Sequence, residues 1–331
     1  MINSLEKLNF PDIFNPIKNI SFFYVSNLKQ IIPWYKNVFT YYFFIINNKL
    51  YINDFEYSQV MNYIVVTNIT NEEHTKLLNN INFNIINVDK AIPIKVIHNN
   101  AGHAYGNIMY QIYYVKKHNL DDYKIIITED LINFSKFLTS IIYLFFDKEQ
   151  IIIINDTTLI NINHTYIFKD NSHKFPHTTK LLINKLKLIN YETYTNIPIH
   201  NNICMIKTAV NKCQNIINKQ FDIEYNNYIM SLGFEIIIPE NYDIITLFKI
   251  IYYAKNVILS WGCCSYLNSD FVNPTSNVLL LCHIGYYNEY NKRRTDPVGI
   301  FNTGWFPEIC NKFIIYDLET EFNINSKEQI N

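Results

Sequence analysis

The chain has 331 residues, of which 49% are apolar, 16% aromatic and 17% charged, and its net charge is −1. Such a length and apolar content predict one large or two medium domains with a full core, and exclude a solvated disordered chain. A charge this close to zero does not indicate the basic footprint of a nucleic-acid binder, so no nucleic-acid partner is expected.

Ile, Asn, Lys and Tyr are abundant, arginine occurs only at Arg293 and Arg294, and there are seven glycines. This bias points to an AT-rich coding sequence, from an AT-rich microbe or a large virus. The N-terminal MINSLEKLNFPDIF lacks a basic segment followed by a long apolar one. No apolar run reaches the ~18 residues of a membrane span. The six cysteines lack CxxC spacing, and a reduced compartment follows more readily than a disulfide framework. The expected location is the cytoplasm, or the host cytoplasm for a virus.

In chain order, short strand-like runs come first: Ser21–Val25, Tyr41–Ile46, Tyr63–Val66 and Ile94–Ile97. Gly102 and Gly106 bracket a helix-start signal, AGHAYGN. The following segment Asn107–His118 carries Ile108, Gln111, Ile112 and Val115 at helical spacing. Lys124–Thr128 reads as a strand, Leu131–Phe146 as a helix and Ile151–Ile154 as a strand, which makes a βαβ unit and a parallel sheet. Lys169–Thr179 reads as an exposed loop around Pro176, Thr179–Asn190 as a helix and Glu192–Asn202 as a linker. A second unit then begins with strand Ile203–Ile206 and helix Gln220–Leu232, stopped by Gly233 as a C-cap. Strand Phe234–Ile238 ends at Pro239, and helix Tyr242–Ala254 has Asp243 near its start. Strand Asn256–Ser260 is followed at once by Trp261-Gly262, and Asn277–Leu281 reads as a further strand. The expected fold is α/β, with two Rossmann-like domains facing across a cleft. Their expected ranges are residues 1–195 on the acceptor side and 196–331 on the donor side.

The most informative stretch is AKNVILSWGCCSYLNSDFVNPTSNVLLL, Ala254 to Leu281. A glycine at the C-terminal end of a buried strand lets the backbone approach a ligand closely. An ordinary strand-to-helix turn reads the same way. No G-x-G-x-x-G and no P-loop occurs, which disfavours nicotinamide and nucleoside-triphosphate chemistry. No DxD occurs either, which favours a metal-free site. His173 and His177 have i, i+4 spacing but flank Pro176, and the zinc ligand pattern is missing.

Several elements in order resemble glycosyltransferase family 61, a group of GT-B architecture, over roughly residues 95 to 285. A glycine-histidine segment opens a helix, Gly102-His103-Ala104-Tyr105-Gly106-Asn107. A strand ends in basic residues, CMIKTAVNKCQNIINKQ, with Lys207, Lys212 and Asn218. A helix, Gly-Phe, strand, Pro-Glu and helix follow as SLGFEIIIPENYDIITLFKIIYYA, and a strand, glycine turn and short helix as NVILSWGCCSYLNSDF. Asn107 stands where the family has an acid four residues after the histidine. Lys207 and Lys212 replace arginines, Lys219 replaces an acid, and Trp261 stands where histidine is frequent; Asn268 comes one residue late.

The resemblance implies metal-independent, inverting transfer of a sugar from a nucleotide-sugar, a UDP-sugar in expectation, to a glycan or glycoprotein hydroxyl. No cofactor is needed beyond that donor substrate. Cationic side chains and helix N-termini then stabilise the diphosphate. Lys207, Lys212 and the turn Trp261, Gly262, Cys263, Cys264 and Ser265 form the expected donor site. The lysines also read as solvated loop charges, and the two cysteines as small packing residues. His103 is the candidate general base, because imidazole titrates near neutrality; a histidine that caps or packs at the turn is the other reading. Asn107 lies one helical turn on and can hydrogen-bond a sugar hydroxyl, though not act as a base. Arg293 and Arg294 read either as phosphate or acceptor contacts or as an exposed charged loop, and Trp305 as a sugar-stacking platform or a packing anchor. The departures keep a second function open, an inactive GT-B-like glycan-binding module or scaffold. A third is a transferase of pyruvyl or phosphate groups.

Overall fold

The computed structural model describes residues 6–8, 17–25, 41–46, 49–53, 63–65, 83–96, 101–168, 176–190, 197–205, 226–260, 271–282 and 311–317. The protein is α/β and divides into two compact units, Met1–Lys174 and Phe175–Asn331.

The first unit contains strands β1 (Glu6–Leu8), β2 (Ile17–Val25), β3 (Tyr41–Ile46), β4 (Lys49–Asn53), β5 (Tyr63–Val65) and β6 (Asn84–Pro93). Helix α1 (Ala101–Lys117), β7 (Lys124–Thr128), α2 (Glu129–Phe134), α3 (Lys136–Phe145), β8 (Ile151–Ile154) and β9 (Thr158–Thr165) follow. The strands pair in the order β1-β5-β4-β3-β2-β9-β6-β7-β8. The pairs from β1 to β9 are antiparallel, and β9, β6, β7 and β8 are mutually parallel. Strand β6 serves two neighbours: Asn84–Lys90 pair with β9, and Ala91–Pro93 with β7.

The continuous apolar runs SFFYV and YYFFII have a simple cause: both faces of β2 and β3 are covered. Phe22, Tyr24, Tyr42 and Phe44 join Ile126, Ile154, Ile160 and Ile162 in one core cluster. On the opposite face Phe23 stacks on Phe43, with ring centroids 4.7 Å apart, and both are fully buried. Strand β9, TLININHT, is a period-two strand without an apolar run. Ile160 and Ile162 face the core, while Asn161 bonds Asn87 and Asn163 bonds Asp89 on β6, at 3.0 and 3.1 Å.

Several expected boundaries move. The strand expected at Ile94–Ile97 lies upstream, since the β6 ladder ends at Pro93. The helix expected over Leu131–Phe146 is two helices broken at Ser135. That residue is extended, with φ −158°; it ends α2 with its N–H bonded to the Leu131 carbonyl and caps α3 with its hydroxyl accepting from Leu138 N. Helix α1 starts at Ala101, so Gly102 and Gly106 lie within it and bracket nothing.

The second unit contains α4 (Pro176–Lys187), β10 (Asn202–Met205), β11 (Glu235–Ile237), α5 (Ile244–Tyr252), β12 (Asn256–Ser260), β13 (Asn277–Cys282) and β14 (Lys312–Asp317). Helix α4 starts earlier than Thr179 because proline is tolerated in a first turn, where no intrahelical N–H bond is lost. The unit boundary precedes this helix, which the sequence reading assigns to the first domain. Its Lys187 ammonium sits 5.4 Å from the Tyr252 ring centroid of α5.

The five strands are all parallel, in the order β11-β10-β12-β13-β14. Gly233 has φ +80° and closes the helical residues 226–231. Its N–H donates to the Met230 carbonyl, and Phe234 N–H to that of Ile229, at 2.9 and 3.3 Å. This is the paired bonding of a Schellman stop, which requires the left-handed conformation that glycine adopts without strain. Asp243 caps α5 by accepting from Thr246 N at 2.9 Å.

A ladder of asparagine amides runs across the N-terminal edge of this sheet. Asn311 donates to Asn277, Asn277 to Asn256, and Asn256 to Asn202, at 2.9, 2.8 and 2.7 Å. Each residue starts a strand or precedes one, so the amides fix the register of neighbours that no hairpin connects. Asn256→Ala removes two of these bonds and is expected to lower stability by about 1–2 kcal/mol in urea denaturation.

Candidate functional site

Beyond Pro93, where β6 ends, residues 94–96 are all buried. Buried backbone groups need partners. Ile94 N–H donates to the Ile126 carbonyl at 2.9 Å. For the next two residues, side chains take the place of a neighbouring strand. Gln111 Oε1 accepts from Lys95 N–H at 3.0 Å, and Gln111 Nε2 donates to the Lys95 carbonyl at 2.7 Å. The Tyr42 hydroxyl accepts from Val96 N–H at 2.9 Å and donates to the Val96 carbonyl at 3.3 Å. The amide of Gln111 thus substitutes for a peptide group of a missing strand.

This arrangement draws a polar cluster into the protein. Lys95, Asn107 and Gln111 are each fully buried. Lys95 Nζ donates to the Phe168 carbonyl, just past β9, at 3.1 Å. Gln111 Nε2 also faces Asn107, with 3.1 Å to both its backbone carbonyl and its Oδ1. Asn107 and Gln111 are one helical turn apart, and His103 lies one turn before Asn107 on α1. The 3.6-residue period sets these three positions along one face. The His103 side chain lies outside the described residues, as do those of Ala101 and Gly102. Among the described residues Asn107 Nδ2 is the one buried side-chain nitrogen or oxygen with no hydrogen-bond partner.

Tyr24 is nearly fully buried. Burial, and then the negative charges of Asp130, Asp156 and Glu129, push its hydroxyl well above the usual tyrosine range; a hydrogen bond from the Asp130 backbone opposes them. The phenol therefore remains protonated, as a polar group beside the start of α2.

In the second unit the strand order reverses direction between β10 and β12. From β10 the chain crosses to β11 on one side, and from β11 it returns past β10 to β12 and on to β13 and β14. Open parallel sheets bind ligands outside the carboxyl ends of the strands at such a switch point. Met205 pairs with Leu259 there, and β12 ends one residue later at Ser260. Lys207 follows Met205 by two residues in the chain, and Trp261 and Gly262 follow Ser260 directly. Lys207, Lys212, Trp261, Gly262, Cys263, Cys264 and Ser265 lie outside the described residues, as do Arg293, Arg294 and Trp305.

Asn107, expected one helical turn after His103, and Gln111, expected at helical spacing with Ile108, Ile112 and Val115, both lie on α1 and are buried. Sequence reasoning misses Lys95, which reads as an ordinary charge inside an apolar run, and it misses what Gln111 bonds. The signal for both was available: a lysine between Ile94 and Val96 whose neighbours have nowhere to go but inward. Among the described residues there is no group of three or more His, Cys, Asp or Glu placed to hold a metal, and no helix long and apolar enough to cross a membrane. No protein-family model matches the chain, and no curated protein matches it.

Proposed function

We propose that the protein is a metal-independent glycosyltransferase that moves a sugar from a nucleotide-sugar donor to a glycan or protein hydroxyl, with inversion. The observation that carries this is the parallel sheet of the second unit, ordered β11-β10-β12-β13-β14, because its switch point lies between the strands that lead into Lys207 and Gly262. A strand end followed by glycine is suited to bring backbone N–H groups to a diphosphate, and lysines leaving the adjacent strand end supply positive charge. The proposed architecture is GT-B-like, with the acceptor bound by the first unit near His103 and Asn107 and the donor by the second. The work is proposed to be done in the cytoplasm.

The buried amide of Asn107 favours a second reading, a glycan-binding protein or scaffold without transfer activity. An amide at that position binds oxygen but does not take up a proton.

Thermal denaturation against a panel of nucleotides and nucleotide sugars tests the donor site. A ligand that binds only the folded protein at 100 times its Kd stabilises by about 2.7 kcal/mol. A selective rise in Tm with one nucleotide family, UDP-sugars first, is the expected outcome. No rise with any member of the panel removes the transferase and leaves the glycan-binding reading.

A further inference from the structure

The sheet of the first unit ends at β8, and among the described residues this strand pairs with β7 alone. A free sheet edge presents unpaired N–H and C=O groups, and proteins blunt it with charge, proline, a bulge or a cover. The edge strand β11 of the second unit carries the exposed Glu235 and ends two residues before Pro239. Strand β8 carries no charge and no proline. Its four residues are all isoleucine, and Ile153 is 50% exposed.

Both ends of β8 are held. Before it, Gln150 Nε2 donates to the Asp121 carbonyl and Lys124 Nζ to the Glu149 carbonyl, each at 2.6 Å. After it, Asn155 Oδ1 accepts from Thr157 N–H and from the Thr158 hydroxyl, at 3.2 and 2.7 Å. An edge already fixed as a strand takes on a further strand at little ordering cost.

The residues around β8 select the occupant. Ile154 belongs to the core cluster and Ile152 packs on it, so Ile151 and Ile153 lie on the other face. Residues directly opposite across a ladder share a face. A second copy therefore keeps its layers aligned when odd positions pair with odd and even with even. Antiparallel pairing centred on Ile152 does this, with Ile152 opposite Ile152 and Ile151 opposite Ile153. It also brings Lys148 of each copy to the Asp156 end of the other, because both lie four residues from Ile152. Both are exposed, and neither joins an ion pair among the described residues. Centring on Ile151 or Ile153 keeps the parity but moves these charges two residues out of register.

We propose that β8 is a self-association edge, to which the β8 of a second copy adds antiparallel about a two-fold axis at Ile152. The proposal is independent of sugar transfer. So short an edge falls below a standard interface, so the dimer is a weak one.

Sedimentation velocity of the full chain, from about 5 to 500 µM, tests it. The expected result is a reversible monomer–dimer equilibrium with a micromolar Kd. Ile153→Lys is expected to abolish it with Tm within about 2 °C of wild type. Lys148→Asp and Asp156→Lys, each of which sets two like-charge pairs in the dimer, are expected to weaken it at least about tenfold, and the two changes together to restore it. These exposed charge changes decide the matter even where Ile153→Lys fails to fold. A monomer at every concentration overturns the proposal, as does assembly that continues past the dimer. Association unaltered by a folded Ile153→Lys or by the single charge changes overturns it too, and so does a double variant that stays as weak as the single ones.

Discussion

His103→Ala is expected to lower sugar transfer by about 10²–10⁴-fold, the range for loss of a general base, while nucleotide-sugar binding stays as it is. The split is the informative part. His103 sits in the first turn of α1 and belongs to the first unit, whereas the proposed donor residues follow β10 and β12 of the second. Alanine is the best helix former, so the change leaves the backbone of α1 supported and a loss of transfer is not a loss of fold. Single-turnover transfer and a nucleotide-sugar titration on the same preparation read the two effects. Undiminished transfer removes His103 as the base. Donor binding lost together with transfer shows that the histidine acts on the donor instead.

Gln111→Leu is the change expected to cost most in stability. The side chain accepts from the N–H and donates to the carbonyl of Lys95, at 3.0 and 2.7 Å. Leucine fills the space but removes both of these bonds to buried main-chain groups, and each such loss costs about 1–3 kcal/mol. A loss of about 2–5 kcal/mol follows, or roughly 5–15 °C in Tm for a unit of this size. Gln111→Glu separates the two bonds, because a carboxylate still accepts from the N–H but faces the carbonyl without a proton. Calorimetry on both variants is the check. A change in Tm of less than about 2 °C for Gln111→Leu means that the buried segment at residues 94–96 does not depend on this amide.

The same residues explain how the polar cluster forms. A chain that leaves its ladder while still buried must find hydrogen bonds elsewhere. Here Tyr42 from β3 and Gln111 from α1 supply them, and residues 94–96 stay buried, Lys95 among them. Glutamine is a good helix former and supplies both a donor and an acceptor at the tip of its side chain. Those two properties let one residue serve helix α1 and the end of β6 together.

Much of the second unit is legible in the sequence because its signals are local. Asp243 before an apolar helical run, Gly233 after one, Pro239 after a strand and the Asn256–Ser260 run each specify backbone geometry within a few residues, and each marks an observed boundary. Strands β3, β7 and β8 are legible for the same reason, as short β-rich runs between turns. Ser135 is not, since a serine inside a helical pattern gives no sign that it will cap two helices at once. Strand β9 is hidden because its outward positions are asparagines, which become strand residues only when Asn87 and Asp89 lie opposite them.

By itself, then, the sequence determines the α/β class, the alternation of strand and helix and the buried face of α1, because hydrophobic period and capping act over one or two turns of chain. Tertiary structure alone decides that the first unit's sheet is mixed, that β6 divides its length between two partners, and that Lys95, Asn107 and Gln111 meet in the interior. Pairing partners and buried polar contacts depend on groups far apart in the chain. A hydrogen bond such as that from Lys95 to the Phe168 carbonyl leaves no pattern at either end for a reader of sequence to find.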